Sequence, residues 1–250
     1  MMKKAIIIVV AILSFTAIHA QQELLIKGDS AYNLKAYGEA AGYYEGVLAQ
    51  GYESARLYYN LGNAYFNLNK LPEAILNYER AKVLDPRDED IAFNLRIANS
   101  MIPDKIEEVP EIFYVKWWKL LRDSINLHTW TISSLVIFAL IVLCAGIFFL
   151  SRNIRMRKFA FWVGGVLIVL GISIFSMTYT KYVMQSKHVE AIVFDPTITV
   201  KSSPNQQGKD LFVIHEGTKV FIMEEINNWC NIRIANGSEG WMPASSIRRI

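Results

Sequence analysis

Side chains able to do catalytic chemistry are few and scattered in this 250-residue chain. The four histidines are His19, His128, His188 and His215, and the two cysteines are Cys144 and Cys230. No His or Cys pair has metal-ligand spacing. The chain has no phosphate-cradling glycine loop and no nucleophile elbow. Asp85, Asp88, Glu89 and Asp90 cluster beside Pro86, where negative charge at a helix start accounts for them without a metal. No catalytic residue, metal site or cofactor is therefore assigned, and an enzyme is not expected. Cys144 falls in an apolar span and Cys230 in a distant polar region, so no disulfide is expected. Cys230 is open to two readings, a small buried apolar residue or a redox-sensing thiol. The net charge of +3 gives no reason to expect a nucleic-acid partner.

What the spacing does support is recognition. Gly28 recurs as Gly62, Leu34 as Leu68, Ala40 as Ala74 and Tyr44 as Tyr78, each after 34 residues. A fixed period of that length marks stacked helical hairpins, an architecture used to dock partners. Tyr58, Leu61, Gly62, Tyr65, Ala74, Tyr78, Ala81 and Pro86 fall where a tetratricopeptide repeat places its signature residues, so residues 55–88 resemble that family. Residues 21–54 form a weaker first repeat, with Lys27 and Ala31 at signature positions, and 89–100 a closing helix that echoes 57–61. Together 21–100 is expected to be an all-α array of about five helices.

Arrays of this kind resemble one another in presenting a concave face from the first helix of each hairpin. The resemblance implies groove positions at Asp29, Tyr32 and Asn33, then Arg56, Tyr59, Asn63, Phe66 and Asn67, then Asp90 and Phe93. Asparagines can pair with a peptide backbone and aromatic rings can bury its apolar groups, which suits an extended peptide. Each position is equally open to plain packing or solvation. Leu25, Asp90 and Asn94 stand where one subclass carries cations for a C-terminal carboxylate, so that mode is disfavoured.

The elements around the array read as membrane-bound. Residues 1–20, with Lys3 and Lys4 before an apolar run and Ala20 before a cut at Gln21, are expected to be a signal peptide. Residues 101–128 hold a polar linker and then an amphipathic helix from Ile112 to Arg122. Lys116, Lys119 and Arg122 share one face of that helix, and Trp117 and Trp118 suit the headgroup layer; docking on the array is the other reading. Two uncharged spans, 129–150 and 159–180, contain Trp130–Leu150 and Phe159–Thr180, about 31 and 33 Å long as helices. Trp130 and Trp162 stand near span ends as interfacial anchors. The short loop 151–158 carries Arg152, Arg155, Arg157 and Lys158, which places it in the cytoplasm. The spans hold no charged side chain, so an anchor is expected and not a pore or transporter. Ala160 and Gly164 form a small-xxx-small pair.

After a linker at 181–187, residues 188–250 change to period two. Short strands are expected at Ala191–Val193, Thr199–Lys201, Asp210–Ile214, Lys219–Glu224, Cys230–Arg233 and Gly240–Met242, with turns at 215–218 and 235–238. Val200-Lys201-Ser202-Ser203-Pro204, Gly217-Thr218-Lys219-Val220, Trp229 and Gly240-Trp241-Met242-Pro243 with Ile247 resemble a bacterial SH3-like domain, a small all-β barrel. Trp229 and Trp241 are its surface candidates, or else core. Ser246 stands where proline-rich recognition would want a Tyr.

The order of signal, tetratricopeptide array, two-helix transmembrane hairpin and SH3-like barrel resembles the BatE family of the Bacteroides-type aerotolerance (Bat) operon, as does Tyr114-Val115-Lys116-Trp117-Trp118-Lys119. The resemblance implies a scaffold working with von Willebrand factor A-domain membrane proteins and, indirectly, a MoxR-type AAA+ ATPase in oxidative or envelope stress. The expected protein is a non-enzymatic adaptor of the bacterial inner membrane with both end domains in the periplasm. The alternatives are a peptidoglycan-binding tether acting through the barrel, or a thiol sensor at Cys230.

Overall fold

The computed structural model describes residues 22–106, 112–187 and 189–250. The expected signal peptide and residues 107–111 of the expected linker lie outside the described residues. The chain divides into two compact units, one holding the helical array and the C-terminal sheet, the other holding the long apolar helices.

The array is a run of antiparallel helices: α1 (residues 22–33), α2 (Tyr37–Ala49), α3 (Ala55–Asn67), α4 (Leu71–Leu84) and α5 (Glu89–Ser100). Local signals set the ends. Ser54 caps α3 by accepting from the Leu57 N–H at 3.2 Å, and Pro72 sits in the first turn of α4, where no N–H partner is needed. Asp88 caps α5 by accepting from the N–H groups of Asp90 and Ile91, and Asp85 accepts from Arg87 N–H. Asp85 and Asp88 of the acidic cluster are thus occupied by backbone N–H groups. The hairpin tips at Lys35 (φ 62°) and Asn69 (φ 59°) are 34 apart and both left-handed.

The 34-residue repeat has a direct steric cause. A Cβ at Gly28 would lie 2.6 Å from the Tyr44 ring, and one at Gly62 would lie 2.7 Å from the Tyr78 ring. Both tyrosines are 1% exposed. The hairpins close only because a glycine faces a tyrosine at each crossing.

The sheet contains β1 (Val189–Val193), β2 (Thr197–Lys201), β3 (Asp210–His215), β4 (Lys219–Ile226), β5 (Trp229–Arg233), β6 (Glu239–Pro243) and β7 (Ile247–Arg249), in the order β3-β2-β6-β5-β4-β1-β7. All the registered pairs are antiparallel, and a short 3₁₀ turn, Ala244–Ser246, precedes β7. Ile192, Val193, Val200, Ile214, Val220, Cys230, Ile232 and Met242 fill the core. Seven strands replace the five or six expected. The three-residue β7 is too short to show alternation, and its pairing with β1 comes from a partner over 50 residues away. β4 and β5 also run longer than expected where they meet, because Asn227 (φ 53°) supplies a tight turn between Ile226 and Trp229.

The array and the sheet share a core. Ile75, Leu76, Tyr78, Leu95 and Ile102 of the array cluster with Ile192 of β1, flanked by Phe194 and Ile250. Gly217, at φ 84° in the β3–β4 turn, lies against Ile75 and Ile102, where a Cβ would come within 3.2 Å of each. Helix α4 is consequently buried on nearly every side, from Ala74 through Glu79.

The second unit contains α6 (Phe113–Asp123), α7 (Leu127–Leu150) and α8 (Ile154–Lys187). α7 and α8 are each long and apolar enough to cross a membrane and they pair with one another. A Cβ at Gly171 would meet Ile137 and Ile141 at 3.3 Å, and one at Gly164 would meet Cys144 at 3.5 Å. Ser134 and Thr178 hydrogen-bond across the pair at 3.1 Å. Two boundaries are corrected. The basic loop is helical from Ile154, with Asn153 accepting from Arg155 N–H, and the expected linker at 181–187 continues α8. No proline or glycine interrupts either stretch, so the helical hydrogen bonding propagates.

Arg122 and Trp130 also differ from expectation. Arg122, assigned to an exposed cationic face, is buried beside Asp123. Its carbonyl accepts from Trp130 Nε1 at 2.9 Å and from Lys181 Nζ, which also donates to Ile125 O at 2.5 Å. The turn between α6 and α7 leaves backbone carbonyls without helical partners, and these two side chains satisfy them. Trp130 is therefore buried in that turn, whereas Trp117 and Trp162 are exposed and Trp118 is at the edge of exposure.

Candidate functional site: the array groove and its seam with the barrel

Along α1, α3 and α5 runs a ladder of side-chain hydrogen bonds that obeys the repeat. Tyr44 donates to Asp29 (2.8 Å) and Tyr78 donates to Asn63 (2.7 Å). Asn60 donates to Asp29 (3.1 Å) and Asn94 donates to Asn63 (2.8 Å). Each rung is thus a tyrosine from the second helix, an acceptor from the first, and an asparagine from the first helix of the next hairpin. All three members recur after 34 residues. Tyr59 accepts from Asn94 (3.1 Å), and Asn67 links to Tyr32 (3.2 Å) and to the Asn63 carbonyl. Burial raises the Tyr44 and Tyr78 hydroxyls well above their ordinary pKa, and the Asp29 carboxylate adds to this at Tyr44. Both remain donors throughout the physiological range.

The ladder sorts the expected groove residues. Asp29 and Asn63 are committed to it, and Arg56 pairs with Asp29 at 3.2 Å. Tyr59 and Phe66 pack against the cluster shared with the sheet. Asn33, Arg56, Asn67, Asp90 and Phe93 are exposed, Phe93 at 55% with the Arg96 guanidinium over its ring. The accessible recognition elements are therefore an arginine, two amides, a carboxylate and an aromatic ring. The ladder beneath fixes the spacing of the helices that carry them. Neither Asn60 nor Asn94 is among the groove residues expected from the sequence, although their separation of 34 marks them.

The second composite feature is the seam between array and sheet. Asp104, just after α5, accepts from His215 N–H (2.7 Å) and Thr218 Oγ1 (2.7 Å), and pairs with His215 Nδ1 (2.6 Å). Burial pushes the Asp104 carboxyl up, but the bonds from Thr218 and His215 outweigh it and hold the group below its usual range. Lys219 bridges Glu79 of α4 (3.0 Å) and Glu190 of β1 (2.7 Å). Burial disfavours the Lys219 charge, yet the two carboxylates prevail and raise its pKa. Arg80 donates to the Arg249 carbonyl at 2.8 Å. None of these partners is visible from local pattern.

In the barrel, Trp229 and Trp241 are half-buried, neither wholly core nor free surface. Cys230 is 1% exposed, and burial raises its thiol pKa. Among the described residues no cluster of three His, Cys, Asp or Glu side chains can hold a metal ion.

Residues 55–88 match the tetratricopeptide repeat model and residues 196–248 the bacterial SH3 domain model. Among solved structures the chain is similar to the Arabidopsis OM64 TPR domain, with 17% identity and a TM-score of 0.32 over 43% of this chain and 78% of that one. No curated protein matches the chain. Tetratricopeptide and SH3-like modules indicate a role in protein–protein interaction.

Proposed function

We propose that this protein is a non-enzymatic membrane adaptor that captures an extended peptide segment of a partner in the array groove. The observation that carries the reading is the 34-residue ladder of tyrosine, acceptor and asparagine. It fixes the spacing of the helices that carry exposed Arg56, Asn67 and Phe93, and preorganisation lowers the entropic cost of binding. α7 and α8 span the inner membrane as an anchor. The basic loop lies in the cytoplasm, and the array and barrel lie in the periplasm. The domain order supports a place beside von Willebrand factor A-domain membrane proteins, with a MoxR-type ATPase reached indirectly, in tolerance of oxidative or envelope stress.

The test is affinity purification of tagged full-length protein from native membranes, read by mass spectrometry, against Arg56→Ala/Phe93→Ala. These positions are chosen because they are exposed, whereas Tyr59 and Phe66 also support the core. Partners lost in the double variant, with the fold intact by circular dichroism, establish the groove. A partner set that does not change refutes it. The half-buried Trp229 and Trp241 favour one rival, a barrel that binds peptidoglycan, which predicts co-sedimentation of the full chain with purified sacculi.

A further inference from the structure

The crevice between α7 and α8 opens, at its loop end, into two adjoining hollows. The larger, about 550 Å³, is almost wholly apolar in its walls: Cys144, Phe148, Ala160, Gly164, Gly165 and Val169 are among them. The smaller, about 240 Å³, shares Phe148, Phe161 and Trp162 with it and adds Arg157 and Lys158 at the rim. The Arg157 guanidinium stands 5.2 Å from the centre of the Phe148 ring. Small residues on α8 make the hollow: a Cβ at Gly165 would meet nothing within 4 Å.

Charge and length together point to what fills it. Arg152, Arg155, Arg157 and Lys158 crowd eight residues, and the sequence from Ser124 to Val189 contains no Asp or Glu. None of the four forms an ion pair among the described residues. A counter-charge must come from another molecule. The trough runs from Lys158 to Val169, about 16 Å at the helical rise per residue, roughly half of the ~30 Å hydrocarbon layer. That is the depth of one leaflet. A partner's spanning helix would call for a groove along the whole hairpin.

We infer that this hollow is a binding site for an anionic phospholipid of the leaflet on the loop side, its phosphate held by Arg157 and Lys158 and an acyl chain lying over Gly164 and Gly165. Basic rims on intramembrane crevices suit acidic headgroups for the same electrostatic reason. The inference rests on α7 and α8 being membrane spans.

Full-length protein purified in mild detergent is incubated with equimolar phosphatidylglycerol and phosphatidylcholine of identical chains, and retained lipid is counted by native mass spectrometry. One phosphatidylglycerol is expected per chain, favoured by about thirtyfold, with both rim cations contributing. Arg157→Gln/Lys158→Gln should abolish the preference, and Gly165→Leu, which fills open space, should expel the lipid without unfolding the hairpin. Equal retention of the two lipids, or a preference untouched by both variants, overturns the site. A Gly165→Leu variant that changes oligomer mass and not lipid content overturns it in favour of a helix partner. Release of the wild-type protein by alkaline carbonate would instead refute the spanning reading itself.

Discussion

Replacing Asp104 with alanine should loosen the barrel from the array while leaving each recognisable. Asp104 accepts from His215 N–H and Thr218 Oγ1 and pairs with His215 Nδ1, all within 2.7 Å, and its side chain is only 13% exposed. Leaving a buried donor unsatisfied costs about 1–3 kcal/mol. Thr218 is 3% exposed, though its hydroxyl can rotate. Counting the His215 backbone N–H and half of the rest gives about 3 kcal/mol, or roughly a hundredfold in the opening equilibrium. Hydrogen exchange of the full-length protein in nanodiscs should show that loss of protection at residues 215–219. Residues 57–66 of α3 should change little, because their bonds are local to the array. Asp104→Asn keeps one acceptor oxygen and should fall between.

The pH dependence has a definite sign. The folded Asp104 carboxyl titrates below its ordinary value, so its contribution is complete above the unfolded carboxylate pKa and is lost as pH falls through the lower folded one. Wild-type protection at 215–219, corrected for intrinsic exchange, should decline in that acid window, and Asp104→Asn should be flat there. Protection in Asp104→Ala within threefold of wild type would refute the view that this carboxylate pins the seam.

Other outcomes follow from the same geometry. Lys219→Met strands Glu79, whose side chain is 8% exposed, and should destabilise the unit by about 3–5 kcal/mol. Lys219→Met/Glu79→Leu should recover most of that in chemical denaturation. Gly62→Ala sets a methyl against the Tyr78 ring at 2.7 Å and should lower stability by about 1–3 kcal/mol, offset in part by helix propensity. Gly46→Ala, with only Leu24 at 3.6 Å, should raise stability by about 0.5–1 kcal/mol. Cys230 should resist alkylation in the folded protein and react after denaturation. Rapid labelling of the native protein would revive the thiol-sensor reading.

Sequence alone determined whatever depends on neighbours one repeat or one turn away. The 34-residue period gave the hairpins because glycine and tyrosine must face each other at every crossing, and that need recurs locally. Apolar length gave α7 and α8, and glycine-bearing turns gave most strands. Where those signals were short or absent the reading slipped, as with β7, the helical ends of α8 at 154–158 and 181–187, and the buried Arg122. Tertiary structure alone decided which groove residues are free to meet a partner, since Asp29 and Asn63 spend their polar groups on Tyr44, Tyr78, Asn60 and Asn94. It alone joined array to barrel. Asp104 and His215 are 111 residues apart, and Glu79 and Lys219 are 140 apart. Such pairings leave no periodic trace, because each side chain fits a surface that exists only once both modules have folded.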